Sequence, residues 1–472
     1  MFENLQSVSP SWAEVFGQGR ALRFGGLLSI IALHAGGNYM VVTLAPSIVS
    51  QIGGGSLIGA LTALFNISAI LAAAAVGPLM SKCSASRLMW VMAGLSLIGA
   101  VMSGLALDMQ FVALGRGLAG FGGGGLLALA FIALRAESTI SAWPKVSSLS
   151  GVFWIGAAFA GPLLGGILAD TIGWRLAFII LGIATLAYAL ANSGIIRTTK
   201  SNGTYDGFPI VSFTAFGCGV VFISFAPLVE SPILLVCVGT IGLGLLFFAA
   251  LRERNRAPRM FPRNAFRLRT SQGQALCAKL TLGASAMSIL VFGPLLLTSV
   301  HGTSATFAGS FVLIETLSWS IASFIVVSVA PKLTQRLTAF GPVLSVAGLC
   351  GCAIFLVSGM LPLAALSIAM CGAGLGLAWP LLGQIIVANE GEIDPTGGET
   401  TKTMAMVSSA ESLGFSIGGA IVGLAGSTAA GGNVETVDQI HIAATVGIST
   451  SIPIAIVGGL ICFIVVKRAP KF

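Results

Sequence analysis

Charged residues are scarce in this chain. Asp, Glu, Lys and Arg make up 8% of its 472 residues, far below the roughly 25% of an ordinary soluble domain, whereas hydrophobic residues reach 56% and mean hydropathy +0.97. A water-soluble globular protein is excluded, and a polytopic membrane protein remains. Histidine is scarcer still: the three residues His34, His301 and His441 lie in distant segments, so no set of metal ligands assembles. The eight cysteines fall mostly inside apolar segments, and Cys350-Gly-Cys352 lacks the CxxC spacing of a metal or redox site, which argues against a disulfide framework as well. No Gly-x-x-x-x-Gly-Lys-Ser/Thr loop occurs, so ATP coupling within the chain is disfavoured. No metal, no cofactor and no enzymatic nucleophile–base set is expected. The first twenty residues hold Glu3, Glu14 and Arg20 and lack the layout of a cleaved signal, so the first span is expected to stay as an anchor.

Apolar stretches of about 20 residues broken by charge, Pro or Gly clusters predict fourteen spans, near 24–47, 56–80, 87–107, 109–134, 146–170, 175–196, 208–229, 232–251, 273–300, 304–330, 338–360, 362–388, 403–427 and 440–466. The expected fold is an all-α integral membrane bundle. Lys and Arg orient it. With the N-terminus inside, 21 of the 24 basic residues fall in cytoplasmic segments, the exceptions being Arg116, Arg175 and Lys279. An odd number of spans would scatter them over both sides. The net charge of +8 is therefore read as topological. The seven arginines between Arg252 and Arg269 are read as an orientation signal wetted by lipid headgroups rather than as a nucleic-acid patch.

Two stretches read as repeats. Pro46-Ser-Ile-Val-Ser-Gln-Ile-Gly resembles Pro294-Leu-Leu-Leu-Thr-Ser-Val-His at an offset of 248, and Val146-Ser-Ser recurs as Val407-Ser-Ser at 261. Duplicated halves with substrate sites at their interface are a recurring transporter design. The expected organisation is a six-helix bundle over 24–196, two inserted helices over 208–251, a cytoplasmic basic loop over 252–272 and a second six-helix bundle over 273–466.

Span five carries Gly161-Pro162-Leu-Leu-Gly165-Gly166, followed by Asp170-Thr-Ile-Gly173-Trp174-Arg175; span four carries Gly115-Arg116-Gly117-Leu-Ala-Gly120-Phe-Gly122; span nine ends Phe292-Gly-Pro-Leu-Leu-Leu-Thr-Ser-Val-His-Gly302. With these motifs the chain resembles the major facilitator superfamily over nearly its whole length, in particular its fourteen-helix drug:proton antiporter branch. Two departures stand out. The loop after span two reads Gly77-Pro78-Leu79-Met80-Ser81-Lys82, with serine at the acidic position of the family's inner-gate motif. Where span one of that branch usually carries an Asp, this chain has Gly37 or, with a one-residue shift, Asn38.

Intramembrane ionisable residues are the candidate site, because a charge at bilayer depth costs ~2.5–3.5 kcal/mol on insertion scales and therefore faces a bundle interior or a wet path. Glu315 lies about eleven residues, ~16 Å, into span ten and Glu411 about eight, ~12 Å, into span thirteen. A glutamate shielded from water can hold a proton and release it when wetted or when a cation approaches. His34 in span one is the third proton-coupling candidate, with a neutral core histidine as the alternative. Asn38, one turn on, and Arg116, ~10 Å into span four, are candidates for the substrate path; backbone carbonyls across the bundle are the alternative partners for Arg116. Lys279, about six residues into its span, is expected to snorkel to the cytoplasmic surface. Gly161, Pro162, Gly165 and Gly166 form the candidate conformational motif, by bending one helix and admitting a neighbouring backbone, with static packing as the alternative.

The resemblance implies proton-coupled export of small amphipathic or toxic molecules across a bacterial inner membrane, with both termini cytoplasmic, no nucleic-acid partner, and a periplasmic adaptor left open. An uptake symporter or proton-independent facilitator on the same fold, or a transport-inactive sensor, is the alternative.

Overall fold

The computed structural model describes residues 15–17, 19–138, 143–197, 207–229, 231–261, 264–388, 398–432 and 434–468. Among them there is no strand, as expected where the bilayer offers backbone groups no hydrogen-bond partner and each helix satisfies its own. Fourteen helices among the described residues are long and apolar enough to cross a membrane: α1 (Arg20–Ile52), α2 (Ile58–Met80), α3 (Ala85–Gly104), α4 (Met109–Glu137), α5 (Trp143–Thr171), α6 (Trp174–Arg197), α7 (Ile210–Phe225, continued by a tighter turn over Ala226–Leu228), α8 (Pro232–Asn255), α9 (Ser271–Leu295), α10 (Ala305–Ser328), α11 (Pro331–Gly351), α12 (Leu361–Ala388), α13 (Gly398–Ala429) and α14 (Val437–Arg468). Side chains cap several starts. Ser84, Asp108, Thr270 and Ser304 accept from the backbone N–H of Arg87, Phe111, Gly273 and Phe307 at 2.9 to 3.3 Å, which satisfies donors the helix leaves open. At the end of α1, Gly53 adopts φ 69° and donates its N–H to Val49 O, a turn that a side chain would strain.

All fourteen predicted spans are present, and most ends agree. The largest difference is α11, which opens at Pro331 rather than near 338 and continues past Gly351 through a wider-turned extension over Cys352–Leu356. Proline suits a first helical position, and Lys332 and Arg336 extend the helix past its apolar stretch. Of the basic residues in the charge reading, Lys200, Arg263 and Lys471 lie outside the described residues, as do both termini.

Repeated packing makes the two six-helix sets visible. In the first, α1 packs on α5, α2 on α4, and α3 on α4 and α6; in the second, α9 packs on α13, α10 on α12, and α11 on α12 and α14. Each pairing recurs eight helices later. The sets meet through α5 on α10 and α2 on α13, which are equivalent contacts under the same exchange. Helices α7 and α8 pack on each other, and α7 also touches α2 and α13, so the inserted pair sits beside one of the two joints.

The arginine-bearing segment after α8 is folded rather than merely wetted. Glu253 Oε2 accepts from the backbone N–H of Met260 and Phe261, both at 2.9 Å. Phe261 is buried against Phe216 and Phe266, which fixes the segment onto α7, while Arg254, Arg256 and Arg269 stay exposed.

Candidate functional site

The predicted residues gather in two clusters, one inside each set. In the first, α1 supplies His34 and Asn38, α2 supplies Phe65 and Asn66, and α4 supplies Arg116. Arg116 is 1% exposed. Its Nη2 donates to Asn38 Oδ1 at 2.9 Å, its Nε to Leu61 O at 3.3 Å, and its guanidinium carbon stands 3.8 Å over the Phe65 ring. A backbone carbonyl, the partner expected for a structural Arg116, is therefore present, and the Asn38 amide oxygen is a partner that the sequence reading did not anticipate. The His34 ring stacks on the same Phe65 ring, centroids 4.7 Å apart, and its Nδ1 has no hydrogen-bond partner among the described residues. Asn38 Nδ2 donates to Asn66 Oδ1 at 3.4 Å, and Asn66 to Thr62 O at 2.9 Å.

Close packing sets this geometry. A Cβ on Gly37 would lie 2.5 Å from Leu181 on α6, so position 37 faces the inside of its own set. Asn38 is the residue of α1 that meets Arg116.

The second cluster holds Lys279 (α9), Glu315 and Trp319 (α10), Trp379 (α12) and Glu411 (α13). Trp379 Nε1 donates to Glu411 Oε2 at 3.1 Å, Lys279 Nζ lies 4.4 Å from the Trp379 ring centroid, and the Trp319 and Trp379 rings meet edge-on at 4.8 Å. Snorkelling by Lys279 is overturned: the residue is 1% exposed, and it interacts electrostatically with Glu411. Aromatic and acidic partners inside the set replace the water that its ammonium group would otherwise seek.

Glu315 is 4% exposed, and neither carboxyl oxygen has a hydrogen-bond partner among the described residues. It lies within electrostatic reach of Cys352 and Cys371 on α11's extension and α12. Tyr39, on α1 of the first set, is within electrostatic reach of both Glu315 and Glu411.

The glycine motif divides between the two kinds of joint. A Cβ on Gly161 would stand 2.6 Å from Gly36 O, and one on Gly165 2.7 Å from Met40 O, both on α1. Gly166 instead meets Ala305 O and Thr306 on α10, and the Pro162 carbonyl faces Gly309. At the end of the same helix, Asp170 accepts from Thr306 Oγ1 at 2.6 Å and Thr306 N at 3.0 Å. On the other joint, Ser416 donates to Ala63 O at 2.7 Å, and Gly59 packs against Gly419 and Gly423. These cross-set contacts all lie toward the ends of the helices that bear Gly53, Asp170 and Gly302, opposite the end that bears Lys82, Arg252 and Lys332.

Sequence reasoning missed Tyr39, Phe65, Asn66, Trp319 and Trp379. Tyrosine occurs three times in the chain, and a lone Tyr one residue from Asn38 was a usable signal. The tryptophans carried none, since ring contacts across three helices leave no spacing in sequence.

A model of the Major Facilitator Superfamily matches residues 27–419. A protein of Mycobacterium tuberculosis named "Probable multidrug-efflux transporter" is 25% identical over 439 residues, 88% of this chain and 90% of its own. Multidrug resistance protein 3 of Bacillus subtilis is 25% identical over 307 residues, 63% of this chain and 58% of its own. Among solved structures, a bacterial homologue of the human lysosomal transporter Spinster, inward-facing and unoccupied, matches with TM-score 0.67 at 13% identity, covering 96% of this chain and 98% of that one. The nucleoside transporter NupG matches with TM-score 0.58 at 13% identity, covering 94% and 99%.

Proposed function

Because this chain belongs to the Major Facilitator Superfamily, and is thus a transporter of small molecules and not an enzyme, we propose that it exports amphipathic compounds in exchange for protons. The exported class follows the names of its relatives in Mycobacterium tuberculosis and Bacillus subtilis. The observation that carries the coupling is Glu315, buried and unpartnered in the second set and sharing Tyr39 with Glu411. A carboxyl group with no internal partner is free to exchange its proton with whichever compartment wets it. One paired permanently to a neighbouring helix is not.

In this reading the arginine-rich end is cytoplasmic and the membrane is a bacterial inner membrane. The contacts of α5 with α10 and α2 with α13 close the far side, and rocking of the two sets would break them and admit water there. Glu411, held by Trp379 and Lys279, is the second coupling group, and His34 the third. Asn38 and Arg116 line the substrate path from the first set. One proton crossing 100 mV releases ~2.3 kcal/mol, enough to hold a substrate gradient of about 1.6 decades. A proton-independent facilitator is the second reading, favoured by Asn38 where an acid would otherwise face Arg116. Substrate and proton fluxes measured together in proteoliposomes test the proposal, since a facilitator moves substrate without protons.

A further inference from the structure

The first six-helix set contains a small cavity that borders Arg116 and His34 of the transport reading and for which that reading supplies no occupant. It lies between α1, α2, α3, α4 and α6, and His34, Phe65, Ser96, Arg116, Gly123 and Thr185 are among the residues that line it. We propose that this cavity binds one small monovalent anion of the halide class, held by Arg116, His34 and Ser96.

Charge sets the sign of the ligand. The guanidinium of Arg116 carries five N–H donors and keeps its charge. Its contacts, the Asn38 amide oxygen, the Leu61 carbonyl and the Phe65 ring, are all neutral. A buried charge without an opposite charge costs several kcal/mol, and the glutamates of the core lie across Tyr39 in the other set.

Orientation sets the place. His34 is 9% exposed and its Nδ1 lacks a partner among the described residues. That atom faces Gly123, where an added Cβ would approach it to 2.7 Å, and Gly123 itself lines the cavity. With its proton on Nδ1, His34 donates into the same space as Arg116. The Thr185 hydroxyl already donates to Leu181 O at 2.9 Å, which leaves the Ser96 hydroxyl as the third donor.

Size sets the class. The free volume is about 20 Å³, against the ~10–15 Å³ that one water-sized sphere needs. A single monatomic anion is nearer to this size than phosphate, sulfate or a carboxylate substrate. The site is independent of whether Glu315 couples protons to export.

Thermal unfolding of the purified full-length protein in sodium bromide, sodium chloride and sodium gluconate at equal ionic strength tests the proposal. Ligand that binds only the folded state raises Tm with its concentration. The expected result is a saturable, halide-specific rise in wild type that needs at least tenfold more halide in Ser96→Ala and disappears in Gly123→Ala, whose methyl group occupies the space beside His34. Ser96→Ala removes one hydroxyl without adding bulk, so it decides the matter if Gly123→Ala does not fold. A crystal grown in bromide should show anomalous density between Arg116 and His34. An equal rise in gluconate, a halide-specific rise unchanged in Ser96→Ala, or density for water without anomalous signal would each overturn the anion site.

Discussion

Asp170 at the end of α5 caps the start of α10 in the opposite six-helix set, accepting from both the hydroxyl and the backbone N–H of Thr306 at 2.6 and 3.0 Å. The carboxylate thus meets the positive end of a helix dipole at a joint that alternating access would have to open. Gly166 and Gly309, on either side of the pair, let the two backbones approach within contact distance.

Loss of this cap should favour the state open at that end. A hydrogen bond to a charged group contributes ~1.5–3 kcal/mol when shielded, and solvent exposure of Asp170 reduces that to about 1 kcal/mol, or roughly fivefold in a two-state population. A single cysteine at Ala308, which is fully buried two residues on from Thr306, reports on it. In a background without native cysteines, Asp170→Asn should raise the labelling rate of that cysteine by a membrane-impermeant thiol reagent several-fold. Unchanged labelling would make the contact incidental.

Gly165 offers a test of the motif inside the first set. Its Cβ would press on Met40 O and Thr43, and overpacking of this kind costs ~1–3 kcal/mol. Gly165→Val should slow turnover roughly tenfold while substrate binding changes less. Wild-type turnover in a well-expressed variant would show that the close approach has no part in the exchange between states.

Orientation can be checked at Asn255, which is exposed at the end of α8 beside Arg252 and Arg254. In the same cysteine-free background, Asn255→Cys should resist an impermeant thiol reagent in intact cells and react after permeabilisation. Ready labelling in intact cells would reverse the assignment of the arginine-rich end to the cytoplasm.

The helices were legible because a bilayer imposes a simple rule on sequence: about 20 apolar residues per crossing, with Lys and Arg between. The number of spans followed from it. Depth along a helix was legible too, so Glu315, Arg116 and His34 were found as buried ionisable groups. Direction around the helix was not. Lys279 looked able to snorkel because its distance from the span end was short, yet its side chain turns inward to Trp379 and Glu411. The partition of the glycine motif was hidden for the same reason: Gly165 and Gly166 are adjacent in sequence, and about 100° of helical rotation sends one to α1 and the other to α10.

Joint measurement of substrate and proton flux in proteoliposomes with an imposed pH gradient decides whether Glu315 couples export to protons. Glu315→Gln keeps the shape of the side chain and removes its exchangeable carboxyl proton. This variant should lose proton-driven export and keep substrate binding and substrate–substrate exchange, while Glu315→Asp should retain part of the coupled flux. Export by Glu315→Gln with the wild-type proton stoichiometry would contradict that coupling and leave Glu315 a structural residue.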